Sequence, residues 1–195
     1  MIANLKRVTK DTRMSFIIMQ AENIDNLICA EVGVYRGFNA IDMLNIDRTM
    51  KLHLIDSYVN IGKTDVYGQV LCPDEAGWDG LGNPDDCKAE ARDNLRFYLD
   101  HITFVYKQSE EAYKDYPDGY FDYVYIDGDH AYKSVKRDIE LWYPKVKKGG
   151  ILGGHDVGMP SVGKAVTEFI HDNNIINGGS LYIEAKESDW WIFKV

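Results

Sequence analysis

Asp127, Gly128, Asp129 and His130 follow directly on the apolar run Tyr123–Ile126, in the stretch "YVYIDGDHAY". Two carboxylates and an imidazole therefore crowd the tip of what reads as a buried strand. Such a group can exchange protons near neutral pH, where imidazole titrates. A second run, "GGILGGHD", ends in His155 and Asp156. A third, "LICAEVGVYRG", carries Glu31, Gly33, Tyr35 and Gly37, and a fourth, "KLHLID", closes on Asp56. Gln108 and Ser109 follow "ITFVYK". Polar residues thus recur where apolar runs stop.

The elements that must hold these residues alternate. Strands are predicted over 27–32, 51–56, 102–107, 121–127 and the "GGILGGHD" run, with helices over 37–46, 84–100, 109–116, "AYKSVKRDIELWYPKV" and "SVGKAVTEFIHDN". The 84–100 helix begins at Pro84, with Asp85 and Asp86 as first-turn acids. Strand–helix alternation implies a parallel sheet covered on both faces, a Rossmann-like α/β three-layer sandwich. The last two strands, "SLYIEA" and "DWWIFKV", are too close in sequence for a crossover and must pair antiparallel. In that last strand Trp190 and Trp191 point to opposite faces, one packed and the other open to exposure. In open parallel sheets ligands bind at the carboxyl ends of the strands, where the polar residues fall here. The chain reads as one domain over 1–195, with a helical extension over 1–25. Residues 57–83 lack a period but hold Tyr58, Tyr67 and Trp78; a lid or substrate loop is expected there.

Asp56 stands 23 positions after Gly33, the interval of an acid that holds ribose hydroxyls. The glycines argue against a dinucleotide. Gly33-Val34-Tyr35-Arg36-Gly37 lacks the middle glycine that lets backbone approach pyrophosphate, and Glu31 would repel phosphate. S-adenosylmethionine has no phosphate, carries cationic sulfonium and ammonium groups, and suits Glu31 and Asp56 better.

"AEVGVYRG", "LHLIDSY" and "YVYIDGDHAYKSVKRDIELWYPKVKKGGILGGHD" together resemble class I S-adenosylmethionine-dependent methyltransferases. Within that class the chain resembles the small-molecule O-methyltransferases of macrocin and cephalosporin biosynthesis, over residues 25 to 195. The resemblance implies a seven-stranded sheet whose last strand is antiparallel. It implies that Glu31, Gly33 and Gly37, with Tyr35 in the same turn, line the methionine end of the cofactor. Asp56 would hold the ribose, Gln108 and Ser109 would lie near the adenine, and Asp127 would border both cofactor and acceptor. Many related O-methyltransferases hold a divalent cation; the matching positions are Asp127, His155 and Asp156. A histidine ligand moves the preference from magnesium toward manganese, iron, cobalt or zinc. His130 stands where relatives carry a proton-abstracting lysine, and either serves as the base with Asp127 or caps the following helix. Asp129 orients His130 or reaches the cofactor, and Gly128 is expected to permit the turn.

The net charge of −9 argues against a nucleic-acid binder. The N-terminal segment has only the apolar run "FIIM", too short for a signal core or membrane span, so a cytoplasmic protein with no membrane partner is expected. Cys29 is expected in the core; Cys72 and Cys87 share a loop where a disulfide or metal role stays open. The partner expected is a small-molecule acceptor, with homo-oligomerisation left open. The rival readings are an NAD(P)-dependent oxidoreductase on a related sheet and a methyltransferase-like protein that binds cofactor without turnover. His53 and His101 read as structural, and His171 as a cation at a helix end.

Overall fold

A computed structural model describes residues 25–59, 83–173, 175, 182–184 and 188–195, with backbone alone for 182–184. The strands are β1 (Ile28–Val32), β2 (Lys51–Ile55), β3 (Ile102–Val105), β4 (Phe121–Ile126), β5 (Val146–Gly154), β6 (Tyr182–Glu184) and β7 (Asp189–Phe193). The helices are α1 (Phe38–Ile46), α2 (Pro84–Asn94), α3 (Ser109–Ala112), α4 (Tyr132–Trp142) and α5 (Pro160–Asp172).

The strands lie in the order β3-β2-β1-β4-β5-β7-β6. β1 to β5 pair in parallel, β7 runs antiparallel to β5, and the three-residue β6 pairs antiparallel with β7 at the edge. This is a Rossmann-like α/β sheet, mostly parallel, with the antiparallel C-terminal pair that the short connection demanded. The strand order turns at β1, which lies between β2 and β4, so a crevice opens between the carboxyl ends of β1 and β4.

Alternation along the strands builds two cores. Ala30, Val32, Val124, Ile126, Leu152 and Trp190 face one side, packed with Val135, Ile139 and Trp142 of α4 and Val162, Val166 and Phe169 of α5. Cys29, Leu52, Leu54, Tyr123, Tyr125 and Trp191 face the other, packed with Ala40, Met43 and Leu44 of α1 and Leu95. The i, i+4, i+7 spacing of Val135, Ile139 and Trp142 gives α4 one apolar stripe, each residue contributing about 1.5–3 kcal/mol of burial. Trp190 and Trp191 do point to opposite faces, but both are buried, because helices cover both sides of the sheet.

The α2 start is as expected: Asn83 is the N-cap, its side chain accepts from Asp85 N at 2.8 Å, and Asp85 and Asp86 occupy the first turn. Its end is not. The helix stops at Asn94, six residues before the predicted Asp100, and relaxes into turns in which Arg96 N donates to Asp93 O and Tyr98 N to Leu95 O. This bend seats Leu95 against Gly37, where an added Cβ would lie 2.9 Å from Leu95 Cδ1. Cys29 is in the core and Cys87 is buried on α2, while Cys72 lies outside the described residues. Residues 1–24 of the expected helical extension over 1–25 and most of the 57–83 loop also lie outside the described residues. His53 is structural as read: its Nδ1 lies 3.0 Å from Tyr116 Oη, its ring meets Tyr116, Tyr120 and Phe121 edge-on, and burial lowers its pKa. No helix among the described residues is long and apolar enough to cross a membrane.

Candidate functional site

Strand register decides which polar residues meet. Val32 pairs with Ile55 and with Ile126, and Ile126 pairs with Gly154. The next residue of each strand is Gly33, Asp56, Asp127 and His155, so these four form one row across the carboxyl edge. Backbone bonds carry the ladder into that row: Gly33 N donates to Ile55 O at 2.9 Å, Asp127 N to Val32 O at 2.7 Å and His155 N to Ile126 O at 3.1 Å. The row is therefore as rigid as the sheet.

On the β1 side the chain turns through Gly33 (φ 90°), Tyr35 (φ 52°) and Gly37 (φ 77°) before entering α1. Asp56 organises this turn. Its Oδ2 accepts from Val34 N at 2.9 Å and Tyr35 N at 3.0 Å, and its Oδ1 accepts from Tyr58 N at 2.8 Å. The Tyr58 hydroxyl donates to Tyr35 O at 2.9 Å, clasping the turn from the other side. Glu31 is buried at the strand end and accepts from Asn39 Nδ2 at 3.1 Å. A carboxylate oxygen takes about two donors, so Asp56 Oδ1 keeps a lone pair for a further hydroxyl. Sequence reasoning missed Tyr58 and Asn39; the signal for Tyr58 was its place two residues after Asp56, where an Asx-type turn closes.

Gln108 and Ser109 lie at the end of β3, Gln108 as the N-cap of α3. The Ser109 hydroxyl is turned toward α4 and accepts from Trp142 Nε1 at 2.8 Å. Beside it Asp138 is buried, and that burial pushes its carboxyl up to about 6, opposed by Ser109 and Arg137.

The β4–β5 side gathers the titratable groups. His130 Nε2 lies 3.6 Å from Asp127 Oδ1 and 3.2 Å from Asp156 Oδ2. His155 Nδ1 lies 3.9 and 3.3 Å from the same two oxygens. All four side chains are 20–32% exposed, so they face solvent from a recess. The His130 pKa is raised, first by direct pairing with Asp127 and then by the charges of Asp127, Asp156 and Asp129, against the opposing effect of burial. Asp156 holds a left-handed backbone (φ 58°), which aspartate tolerates better than most residues. A small hollow adjoins the cluster, and its lining joins Val135, Val162 and Trp190 to Asp127, His130 and His155.

The structure thus brings together Asp127, His130, His155 and Asp156, and separately Glu31, Gly33, Tyr35, Gly37 and Asp56, with Gly33 joining the two groups. Two expectations for the β4 tip change. Asp129 holds the path to His130 through the start of α4 rather than through His130 itself: its Oδ1 accepts from Ala131 N at 3.1 Å and its Oδ2 from Ser134 Oγ at 2.5 Å. The glycine that the tip requires is Gly33, not Gly128. A Cβ on Gly33 would lie 2.2 Å from Asp127 O, whereas one on Gly128 would meet only Val32 O at 3.8 Å. Asp127, His130 and Asp156 each offer a ligand atom within 4.8 Å of one another, so these residues fit a divalent cation.

Comparison with known proteins agrees with this geometry. A family profile described as a methyltransferase domain matches residues 30–157, more than half of the chain. The chain is similar to the O-methyltransferase NovP, with 22% identity and a TM-score of 0.64 over 94% of this chain and 77% of that one. It is similar to an O-methyltransferase from Bacillus cereus in complex with SAH, with 11% identity and a TM-score of 0.59 over 98% and 82% of the two chains. A precorrin-6y C5,15-methyltransferase from Geobacter metallireducens GS-15 shares 16% identity and a TM-score of 0.59 over 97% and 94%. At these identities the structural likeness shows the fold. No curated protein sequence matches the chain.

Proposed function

The chain belongs to the methyltransferase-domain family and is an S-adenosylmethionine-dependent methyltransferase, and from that premise we propose that it methylates a hydroxyl of a small-molecule acceptor with the assistance of a divalent cation. The observation that carries this reading is the convergence of Asp127, His130, His155 and Asp156 beside the glycine turn that Asp56 organises. The neighbours in fold include one named for a carbon position and others named for oxygen, so the fold alone does not choose the acceptor atom. Oxygen is favoured here because a hydroxyl must lose a proton, and a cluster of carboxylates and imidazoles is suited to receive one.

On this reading the cofactor lies across β1, β2 and β3. Glu31 faces its cationic methionine end, Gly33, Tyr35 and Gly37 shape the turn beneath it, and Asp56 Oδ1 accepts from a ribose hydroxyl. Gln108 and Ser109 border the adenine by their backbone, since the Ser109 side chain is committed to Trp142. Asp127 stands between cofactor and acceptor. The reaction is an in-line displacement in which the carbon–sulfur bond breaks, its electrons stay on sulfur, and an oxygen–carbon bond forms. The hydroxyl proton passes to a carboxylate or imidazole of the cluster around Asp127. A cation held by Asp127 and Asp156 would lower the hydroxyl pKa and orient its oxygen. The three-residue β6 counts as the seventh strand of the sheet.

Calorimetry with S-adenosylhomocysteine tests the cofactor site: the wild-type protein binds and Asp56→Ala does not. Absence of binding at millimolar ligand would sink the reading, and binding of a nicotinamide dinucleotide in its place would favour the oxidoreductase. Methyl transfer to a panel of small hydroxyl compounds, with and without chelator, tests the acceptor and the cation.

A further inference from the structure

His130 has a position that a lone proton acceptor would not need. Its Nε2 is directed at two carboxylate oxygens on different strands, Asp127 Oδ1 at 3.6 Å and Asp156 Oδ2 at 3.2 Å. His155 Nδ1 approaches the same two atoms, at 3.9 and 3.3 Å. Asp127, His130 and Asp156 each offer a donor atom within 4.8 Å of the other two, a set that does not extend to His155. Metal–ligand bonds of about 2.1 Å place neighbouring donors about 3.0–3.4 Å apart, in octahedral or tetrahedral geometry. The two His130 separations lie at or slightly above that range.

We propose that His130 is itself a ligand to the cation, so that Asp127, His130 and Asp156 form a site of two carboxylates and one imidazole that selects a transition-metal divalent ion over magnesium. This rests on the proposed function only in placing the cation beside the acceptor; the donor set is read from the side chains. Imidazole nitrogen is a borderline ligand that suits manganese, iron, cobalt or zinc, whereas magnesium favours oxygen and water. The position of His130 is built in. His130 follows Asp129, which is bonded to Ala131 N and Ser134 Oγ. The imidazole does not have to be recruited from a remote segment.

The assignment separates two roles for His130. A nitrogen whose lone pair lies on a cation does not also take the acceptor's proton, so that step falls to another oxygen of the cluster or to solvent.

The test uses the full-length protein with Mn²⁺, Zn²⁺ and Mg²⁺ added singly. Calorimetry is expected to show Mn²⁺ and Zn²⁺ binding more tightly than Mg²⁺, and pulsed electron paramagnetic resonance of the Mn²⁺ form is expected to show nitrogen couplings. His130→Ala should weaken Mn²⁺ by about tenfold or more and remove the nitrogen signal, whereas His155→Ala should leave both largely in place. His130→Asp should restore binding while shifting preference toward Mg²⁺. Unchanged Mn²⁺ affinity in His130→Ala, a wild-type spectrum without nitrogen couplings, or no binding of any of the three ions overturns the proposal. The spectrum of the wild-type protein decides even if a variant does not fold. S-adenosylhomocysteine binding, measured in parallel, separates failure of the cation site from failure of the methyltransferase reading.

Discussion

Gly33 is a single backbone position on which both halves of the site depend. Its φ of 90° lies where side chains are strained, and a Cβ there would sit 2.2 Å from Asp127 O and 2.6 Å from Gly128 N. The obstruction is backbone, which cannot rotate away. Gly33→Ala is expected to cost about 3 kcal/mol or more and to abolish S-adenosylhomocysteine binding, while Gly128→Ala should stay within about 1 kcal/mol of wild type. Urea denaturation of the two variants makes the comparison, and equal losses would contradict it. Asp138 makes a different residue-scale prediction. Burial pushes its carboxyl up to about 6, above its value in an unfolded chain, so the folded state holds the proton more tightly. Ionising this group in the fold costs stability; the cost is fully present above about pH 6 and fades as pH falls toward about 4. Asp138→Asn keeps an acceptor for Ser109 and should raise stability at about pH 8 by about 1–3 kcal/mol, with no gain below about pH 4. A variant that tracks wild type across that range would show that the buried carboxylate is compensated.

At the scale of elements, the junction between β4 and α4 determines where His130 points. α4 begins at Tyr132, its N-cap residue Ala131 supplies no side-chain bond, and Asp129 serves from two residues further back. Removing that anchor in Asp129→Ala is expected to lower stability by about 1 kcal/mol and to weaken Mn²⁺ binding, because His130 then loses its fixed approach. Asp129→Asn, which keeps an acceptor for Ala131 N, should recover most of both. Thermal melts with parallel metal titrations check this, and a stable Asp129→Ala protein with unaltered metal affinity would show that α4 holds its own start. The sequence made much of this scale legible. Apolar runs located the strands, and the row of Gly33, Asp56, Asp127 and His155 follows from parallel register once strand ends are known. It did not reveal how His130 is shared, since that depends on a loop path set by Asp129. Nor did it reveal Asp138 as a buried acid, because "KRDIELW" alone gives no sign that Ser109 of the neighbouring helix meets its carboxylate. The α2 end was overrun for a related reason: "LRFYLD" has helical composition, and its bend into turns beside Gly37 is a tertiary feature.

For the whole molecule, the sheet order makes cofactor binding a global stabiliser. On the proposed reading the cofactor lies at the carboxyl ends of β1, β2 and β3 and the cation at those of β4 and β5, so the two ligands together would span every parallel strand. A ligand that binds only the folded state adds RT ln(1 + [L]/Kd), about 2.7 kcal/mol at a hundredfold excess over Kd. For a chain of 195 residues that corresponds to an upward shift in Tm of about 5–10 °C. S-adenosylhomocysteine is expected to produce this shift and a nicotinamide dinucleotide to produce none. Mn²⁺ should add a second, separable increment that His130→Ala diminishes while leaving the first intact, because His130 lies on the β4–β5 side and Asp56 organises the β1–β2 side. If the two increments instead disappear together in His130→Ala, the halves of the edge are coupled through Gly33 and Asp127 more tightly than the separate hydrogen-bond sets imply. A shift with the dinucleotide and none with S-adenosylhomocysteine would reverse the cofactor assignment altogether.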